Sequence, residues 1–265
     1  MIDSLQQIFS ERGIVYAEAI PFSEVSVLFQ RKIDQLAFVP QSVIIFAIPY
    51  YAGEFSCRNL SRYAVAKDYH LFFRSFSEEV VNELQRLYPN AQVAAFADNS
   101  PINEREAAAK AGLGVLGLNR LLITERYSSY VFLGELITDL PYQEIGTLAS
   151  FACRECEKCG LCLASCPQKE ICLSALTQKK GILTQDEENE IVSLGLAWGC
   201  DICQEVCPYS KRAEITPLAF FKEDLTAHLT SEMVENMLDK VFADRAYSWR
   251  GKKTILRNLK LLEKT

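Results

Sequence analysis

The sequence predicts a mixed α/β domain over residues 1–148, a small cysteine-rich domain over 149–212 and a helical segment over 213–265. Three observations support this division. Strand-like and helix-like patterns alternate through the first part. Nine of the ten cysteines lie between Cys153 and Cys207, and after Ile215 apolar residues recur every three or four positions. With 265 residues, the chain is long enough to bury a substantial core.

The first part contains three segments with the composition of strands. Apolar, β-branched runs at 42–51 (SVIIFAIPYY) and 92–98 (QVAAFAD) predict buried strands, and 129–138 (SYVFLGELIT) predicts a third. Helical spacing predicts helices over 4–13, 61–87 and 102–114, with Ser4 as the N-cap of the first. The sequence YPN ends the second helix and glycine ends the third. This order indicates an α/β (α+β) domain built on a central sheet.

The end of the chain reads as helical. Residues 231–242 (SEMVENMLDKVF) and 252–262 (KKTILRNLKLL) repeat apolar residues at helical spacing. From Arg245 onward there are seven basic residues and one acidic residue. Two interpretations are open for this basic tail: a solvated helix face, or a patch that contacts phosphates.

Composition limits the class of protein. The N-terminus lacks a basic stretch followed by an apolar core, so no signal peptide is expected, and the longest apolar run is too short to span a membrane. We therefore expect a soluble, cytoplasmic protein with no membrane contact. The formal net charge of -6 argues against a generic nucleic-acid binder, which depends on a basic surface.

The cysteine spacing predicts iron–sulfur clusters. In the cytosol thiols stay reduced, so cysteines this dense indicate metal binding. The run Cys156-x2-Cys159-x2-Cys162-x3-Cys166-Pro has the spacing of bacterial ferredoxins, in which three thiolates bind one 4Fe–4S cubane and the fourth binds its neighbour. Proline after the fourth cysteine fixes φ and helps to turn the chain away from the cluster.

A second motif completes a pair of clusters. Cys200-x2-Cys203-x3-Cys207-Pro lacks a first cysteine, which Cys172 can supply from upstream. Eight ligands then fill two 4Fe–4S clusters in a ferredoxin-like domain. The two sets are Cys156, Cys159, Cys162 with Cys207, and Cys172, Cys200, Cys203 with Cys166.

Zinc binding is the alternative to this assignment, and two cysteines remain outside it. Zinc sites pair two separated knuckles and have no reason to repeat an x2-x2-x3 cadence that ends in Cys-Pro. Cys153 is expected to be a non-ligand. Cys57, alone in the first part, is expected to be a buried or half-buried thiol.

The segment from Phe96 to Leu140 (FADNSPINEREAAAKAGLGVLGLNRLLITERYSSYVFLGELITDL) resembles the epoxyqueuosine reductase family. That family carries Asp-Thr-x-Pro-Val-x-Glu-Arg, then Ala-Gly-Leu-Gly-x-x-Gly-Lys-Asn, Gly-Ser and Phe-x-Gly-Glu-Leu. SRYAVAKDYH, ICLSALTQKKG, GCDICQEVCP and WRGKKTILRNL extend the resemblance over nearly the whole chain. It implies an N-terminal cobalamin-binding domain, two clusters, and reduction of epoxyqueuosine to queuosine in tRNA with a low-potential donor such as a ferredoxin or flavodoxin.

The resemblance also implies a catalytic acid. Converting an epoxide to an alkene takes two electrons and two protons and releases water, and the family's proton donor falls on Asp98. An aspartic acid with an ordinary pKa of about 3.9 is ionised at neutral pH, so this role requires a buried setting. From the residues alone, an N-cap for the helix that begins near Asn103 is an equal alternative for Asp98.

Further residues are implied as cofactor contacts. Tyr69 and His70 fall where the family lines the corrin pocket, Arg105 is placed to orient Asp98 or to meet a corrin amide or a tRNA phosphate, and Ser129 stands in the Gly-Ser motif. The remaining residues are expected where cluster and corrin meet: Ser174, Thr177 and Asp201.

This chain also departs from the family pattern. Leu118 replaces the motif's lysine, and Ser128 replaces its glycine. The family continues into C-terminal helical repeats that grip tRNA, whereas the printed sequence ends at Thr265, so a short form is expected.

Two alternative functions follow from these departures. One is a corrinoid reductase that acts on a small molecule, and the other is a double-cluster electron carrier without corrin chemistry.

Overall fold

The structure, a computed structural model, describes residues 2–146, 148, 156–167 and 171–264, with the backbone alone for 2–4. Among its described residues, the first part carries five α-helices, two short 3-10 helices and six strands. The helices are α1 Ile2–Glu11, α2 Gln30–Ile33, α3 Tyr69–Leu87, α4 Glu104–Lys110 and α5 Tyr142–Ile145. The strands are β1 Tyr16–Pro21, β2 Ser42–Pro49, β3 Val93–Phe96, β4 Val115–Leu116, β5 Leu122–Ile123 and β6 Val131–Thr138.

The rest of the described chain is helical and loop-rich. Its helices are α6 Leu161–Ser165, α7 Leu173–Thr177, α8 Gln185–Leu194, α9 Ile202–Glu205, α10 Ser231–Asn236, α11 Asp239–Ala243 and α12 Lys252–Leu262. Across the described ranges, no helix has both the length and the apolarity that crossing a membrane requires.

The central sheet has four strands in the order β1-β2-β6-β3, and every neighbouring pair is antiparallel. The mixed α/β class is confirmed, and so are the strands expected near residues 42–51 and 129–138. All eight residues of β2 are buried because the strand is central and covered on both faces. The strand expected at 92–98 is shorter, and it is half-exposed because it lies at the sheet edge.

Helices cover both faces of the sheet. On one face α1 and α3 pack around Phe46, Phe73 and Phe76. Gly134 of β6 allows this close approach, since a Cβ there would lie 2.7 Å from both Phe46 and Phe73. On the other face α4 packs against Val43, Ile45 and Ile137. The odd-numbered residues of β6 therefore point toward α4, as strand alternation requires.

Three element boundaries were predicted wrongly. Ser4 lies inside α1 and does not cap it. The helix expected from Ser61 begins at Tyr69, because Asp68 caps it by accepting the backbone N–H of His70. The helix expected over 231–242 breaks into α10 and α11 at Met237, which is extended and whose carbonyl accepts a hydrogen bond from Lys252.

The C-terminal segment is packed into the rest of the chain. A third core joins Leu60 and Ala64 to Trp198, Tyr247 and Ile255, which come from all three predicted parts. Helix α12, predicted over 252–262, has those bounds and packs on α7 and α8. The domain boundaries at 148 and 212 stay predictions.

Candidate active site

A cleft of about 550 Å³ opens beside the sheet, between α3, the loop after β3, and the segment before α12. It contains five of the predicted site residues: Tyr69, His70, Asp98, Arg105 and Ser129. The other lining residues are Tyr63, Asp68, Glu104, Leu121, Leu122, Val131, Phe132, Leu133, Gln178, Ala246 and Trp249.

The floor of the cleft is flat and apolar. Tyr69 stacks on Phe132 with ring centroids 4.0 Å apart and planes within 6°. Burial raises the pKa of Tyr69, and the carboxylates of Asp98 and Glu104 raise it further, so its hydroxyl stays protonated at neutral pH. A protonated phenol can donate a hydrogen bond into the cleft.

His70 is held at the rim by Asp68. The Asp68 carboxylate lies 2.7 Å from His70 Nδ1 and also accepts the His70 backbone N–H at 2.9 Å. The hydrogen bond to Asp68 raises the pKa of His70, partly opposed by burial. This pairing stabilises the imidazolium form and fixes the orientation of the ring.

Asp98 lies at the rim, directly beyond β3. It has φ +60, in the left-handed region that aspartate tolerates better than most residues, and its side chain is exposed. The buried setting expected for a proton donor is therefore not present at this residue. The N-cap alternative is wrong, because Asn103 caps α4 by accepting the Glu106 N–H.

Arg105 is also exposed at the rim. Its guanidinium donates to the carbonyl of Arg120 at 2.9 Å, which directs the side chain along the edge of the cleft.

Two buried carboxylates near Asp98 were missed from the sequence. Glu104 accepts the backbone N–H of Asp98, and its Oε2 is buried without a partner. Burial, reinforced by Asp98, raises the pKa of Glu104 to about 7. Glu135 has no exposed surface, and burial raises its pKa to about 8. One charged residue inside the otherwise apolar segment VFLGELIT was the signal that could have found Glu135.

The described cysteines of residues 156–207 form two groups. Cys156, Cys159, Cys162 and Cys207 line a common cavity. This is the set that the spacing argument assigned to one cubane.

The second predicted set also lies together. Burial raises the pKa of Cys200 to about 11, and the thiols of Cys172 and Cys166 contribute to that rise. Burial likewise raises the pKa of Cys203 to about 12, with contributions from its cysteine neighbours.

Within the described residues, no group of three or more His, Cys, Asp or Glu side chains is placed to hold a single metal ion. The ligand assignment stays a prediction. Cys153 lies outside the described residues, and Cys57 is exposed, which corrects the expectation of a buried or half-buried thiol.

Thr177 and Asp201 have no place in the cleft lining. Thr177 is fully buried, and its hydroxyl accepts the N–H of Gly199 at 2.9 Å. Asp201 is 1% exposed and accepts from Arg58, from the Ser61 hydroxyl and from the Arg62 N–H. These bonds tie the chain next to Cys200 to the first part of the molecule.

Ser174 adjoins the cleft through a lining residue, because its hydroxyl accepts from Gln178 Nε2 at 3.2 Å. The cofactor contacts predicted for Ser174, Thr177 and Asp201 stay predictions.

The two departures from the family pattern have different settings. Leu118 lines the cavity of Cys156 and Cys159 rather than the cleft. Ser128 has φ +52, a conformation that suits the glycine of the family pattern.

The basic tail divides between buried and exposed groups. Arg245 is buried and donates to the carbonyl of Asp224, while Arg257 donates to the carbonyl of Gly181. Trp249 is 58% exposed at the mouth of the cleft, and the Arg250 guanidinium lies 3.7 Å from its ring centroid. The tail is thus partly structural, with an aromatic and a cation presented beside the cleft.

Two family descriptions match the sequence. "Epoxyqueuosine reductase QueG, DUF1730" matches residues 31–99, and "4Fe-4S dicluster domain" matches residues 155–211. Among curated proteins, the epoxyqueuosine reductase of Listeria monocytogenes is 31% identical over 95% of this chain and 72% of its own length. That of Lactococcus garvieae is 32% identical over 78% of this chain and 61% of its own length. The chain thus spans under two thirds of some relatives.

Solved structures share the fold. The epoxyqueuosine reductase of Streptococcus thermophilus superposes with a TM-score of 0.79 at 23% identity, covering 98% of this chain and 80% of that one. An epoxyqueuosine reductase bound to an epoxyqueuosine-modified tRNA-Tyr stem loop has a TM-score of 0.77, with the same identity and coverage. A Bacillus subtilis structure, also at 0.77, with 22% identity and the same coverage, has its catalytic aspartate loop swung out of the active site.

Proposed function

Because this chain belongs to the epoxyqueuosine reductase family, we propose that it reduces epoxyqueuosine to queuosine in tRNA, with cobalamin and two 4Fe–4S clusters as cofactors. The observation that carries the proposal is the cleft, which brings Asp98, Tyr69, His70, Arg105 and Ser129 together beside the cysteine region. We place the reaction in the cytoplasm, where thiolate ligands stay reduced.

The cleft residues suit a corrin ring. A flat, amphipathic macrocycle needs an apolar surface ringed by hydrogen-bonding groups. The stacked Tyr69–Phe132 pair and Leu122 offer that surface, and Ser129 and Gln178 add polar side chains to the lining of the same cleft. When bound, cobalamin supplies the two-electron chemistry that opens the epoxide.

The position of the cysteines supports electron delivery to this cleft. Asn119 Nδ2 donates to the Cys203 carbonyl at 3.4 Å, and the neighbouring Leu121 and Leu122 line the cleft. We propose that electrons from a low-potential donor such as a ferredoxin or flavodoxin pass through the cluster domain to this cleft.

The chain's own part in the reaction is proton delivery and substrate placement. Both C–O bonds of the epoxide break, a C=C bond forms, and the oxygen leaves as water after taking two protons and two electrons. Asp98, at the rim, gives the departing oxygen a proton. A loop that can move inward is consistent with its exposure and with the swung-out aspartate loop of the Bacillus subtilis relative.

The mouth of the cleft supports a tRNA substrate. Single-stranded bases stack on exposed aromatic rings, and arginine meets phosphates. Trp249, with Arg250 beside it, and Arg105 provide these groups at the cleft, although the overall charge is -6. We therefore propose that basic and aromatic residues at the cleft mouth contact the tRNA, in place of a protein surface that is basic throughout.

The test is an anaerobic assay of the protein reconstituted with clusters and cobalamin, on a tRNA stem loop that carries epoxyqueuosine, with a low-potential reductant. Appearance of queuosine supports the proposal. A shifted corrin spectrum without stem-loop binding, even at low salt where phosphate contacts are strongest, points instead to a small-molecule substrate. Loss of both corrin binding and turnover, with clusters intact, points to an electron carrier.

A further inference from the structure

Glu135 is a fully buried acid without a cationic partner among the described residues. It faces α4 from the middle of β6, and its cross-strand neighbours are Ile45 of β2 and Phe96 of β3. Neither β2 nor β3 carries a charged residue. Neither buried carboxyl oxygen has a hydrogen-bond partner of good geometry among the described residues, and the Ser100 hydroxyl, the donor that acts on the acid, lowers its pKa against the effect of burial. Ionising such a group costs free energy, so its presence in the sheet points to a functional role.

Glu104 lines the cleft, whereas Glu135 does not. The titratable group that acts on Glu135 is Glu104, and those that act on Glu104 are Asp98 and Arg105. From α3, the protonated hydroxyl of Tyr69 experiences all three carboxylates, while His70 is paired with Asp68. The three acids thus form a series that runs from the sheet interior to the rim.

The acids in this series differ in solvent contact. Asp98 is exposed, Glu104 is half-buried with one buried oxygen, and Glu135 is fully buried. Burial places the pKa of Glu104 at about 7 and that of Glu135 at about 8. Both groups can therefore hold a proton at neutral pH and release it without a large barrier, which is the property a proton store needs.

Resting on the proposed function, we propose that Glu104 and Glu135 store the protons that recharge Asp98, with Glu104 delivering to Asp98 and Glu135 recharging Glu104. Each turnover consumes two protons and two electrons, breaks both C–O bonds and releases one water. Asp98 takes a proton from Glu104 and passes it to the departing oxygen, and does so a second time after Glu135 has recharged Glu104. The pair thus supplies the two protons that one turnover consumes, and it recovers them from solvent through the cleft. The electrons come from the low-potential donor.

A purely structural role for Glu104 is the competing explanation, because its carboxylate accepts the Asp98 N–H. Glu104→Gln separates the two, since the amide oxygen still accepts that N–H but the side chain cannot carry an acidic proton. Glu135→Gln likewise removes the acidic proton while keeping the shape of the side chain. Glu135→Leu is a second variant, which leaves no polar atom buried in the sheet. Glu106→Gln is the matched control, because Glu106 is on the same helix but pairs with Lys110.

The first experiment needs neither cobalamin nor turnover. Infrared titration of the cluster-containing protein, from about pH 5 to about pH 9, follows the carbonyl stretch of protonated carboxyl groups. We expect the wild type and Glu106→Gln to lose the signal of two acids between about pH 6 and pH 9. Glu104→Gln and Glu135→Gln should each lose the signal of one. A wild-type spectrum without an acid that titrates in this range overturns the proposal.

The second experiment measures kcat and KM against pH on the modified stem loop. Glu104→Gln, Glu135→Gln and Glu135→Leu should lower kcat by about tenfold or more above about pH 7, with KM unchanged and recovery at lower pH, where solvent supplies protons. Unchanged kcat profiles in variants that retain cluster absorption overturn the proton store. An inactive wild type refutes the proposed function instead, and the infrared result distinguishes the two failures.

Discussion

Replacing Glu135 by glutamine is expected to stabilise the protein, by an amount that grows with pH. The folded state raises the pKa of this acid from 4.5 to about 8, because the carboxyl group is buried without a charge partner. The stability contributed by the protonated acid is fully present below about pH 4.5. It is lost as the pH rises through about 8, since the unfolded chain ionises first. Glutamine does not ionise and avoids this loss.

The size of the effect follows from that interval. At about 1.4 kcal/mol per pH unit, the shift from 4.5 to about 8 sets a ceiling of about 5 kcal/mol on the free energy of unfolding. Relaxation around the ionised group reduces this effect, and we expect Glu135→Gln to raise the free energy of unfolding by roughly half of that maximum. For a chain of this size, that corresponds to a rise in Tm of about 5–10 °C at pH 8 and almost none at pH 5.

The assay is thermal unfolding of cluster-containing protein under anaerobic conditions, at a series of pH values, followed by circular dichroism. Glu78→Gln is the control, because Glu78 is an exposed carboxylate on α3, and its Tm difference from wild type should stay flat with pH. A Glu135→Gln difference that is flat as well, or that falls with rising pH, would refute the buried, unpaired state of this acid.

Four further substitutions test the site. Asp98→Asn should abolish turnover while cluster and corrin absorption persist; retained turnover removes Asp98 from the acid role. Cys172→Ser should reduce the iron content from about eight to about four atoms per chain, and full iron content would contradict the ligand pairing. Trp249→Ala should weaken stem-loop binding by about 1–3 kcal/mol, with Trp249→Phe close to wild type; equal affinities would show that no base stacks there. Asp201→Asn should lower stability by about 1–3 kcal/mol, because Arg58 loses one of its two carboxylate partners and keeps only Glu205, and an unchanged Tm would contradict that scaffold role.

Local patterns in the sequence were sufficient to predict an element where one kind of interaction determines it. From Val43 onward the run that forms β2 is apolar because both faces of that strand are covered, and α12 has apolar residues at helical spacing with glycine before it. The cysteine cadence predicted a cluster domain because a cubane needs thiolates at short, regular separations, and the 4Fe–4S dicluster match over residues 155–211 agrees with that prediction.

Elements whose limits depend on partners far along the chain were harder to predict. The segment 61–68 has helical spacing, yet Asp201 accepts from Ser61 and from the Arg62 N–H, and this holds the chain in another conformation. The conformation of the chain before α3 therefore depends on a residue about 140 positions away. The break between α10 and α11 likewise depends on a contact from Lys252.

The sequence by itself determined the chemical class of this protein: thiolate spacing predicts clusters, and the motif around Asp98 indicates the family. Tertiary structure alone decided which acids share the site. Glu104 and Glu135 are 31 positions apart on a helix and a strand, and nothing in either local pattern brings them together. Burial raises the pKa of both acids, reinforced by Asp98 at Glu104 and by Glu104 at Glu135, and these effects exist only once the strand and helix have packed.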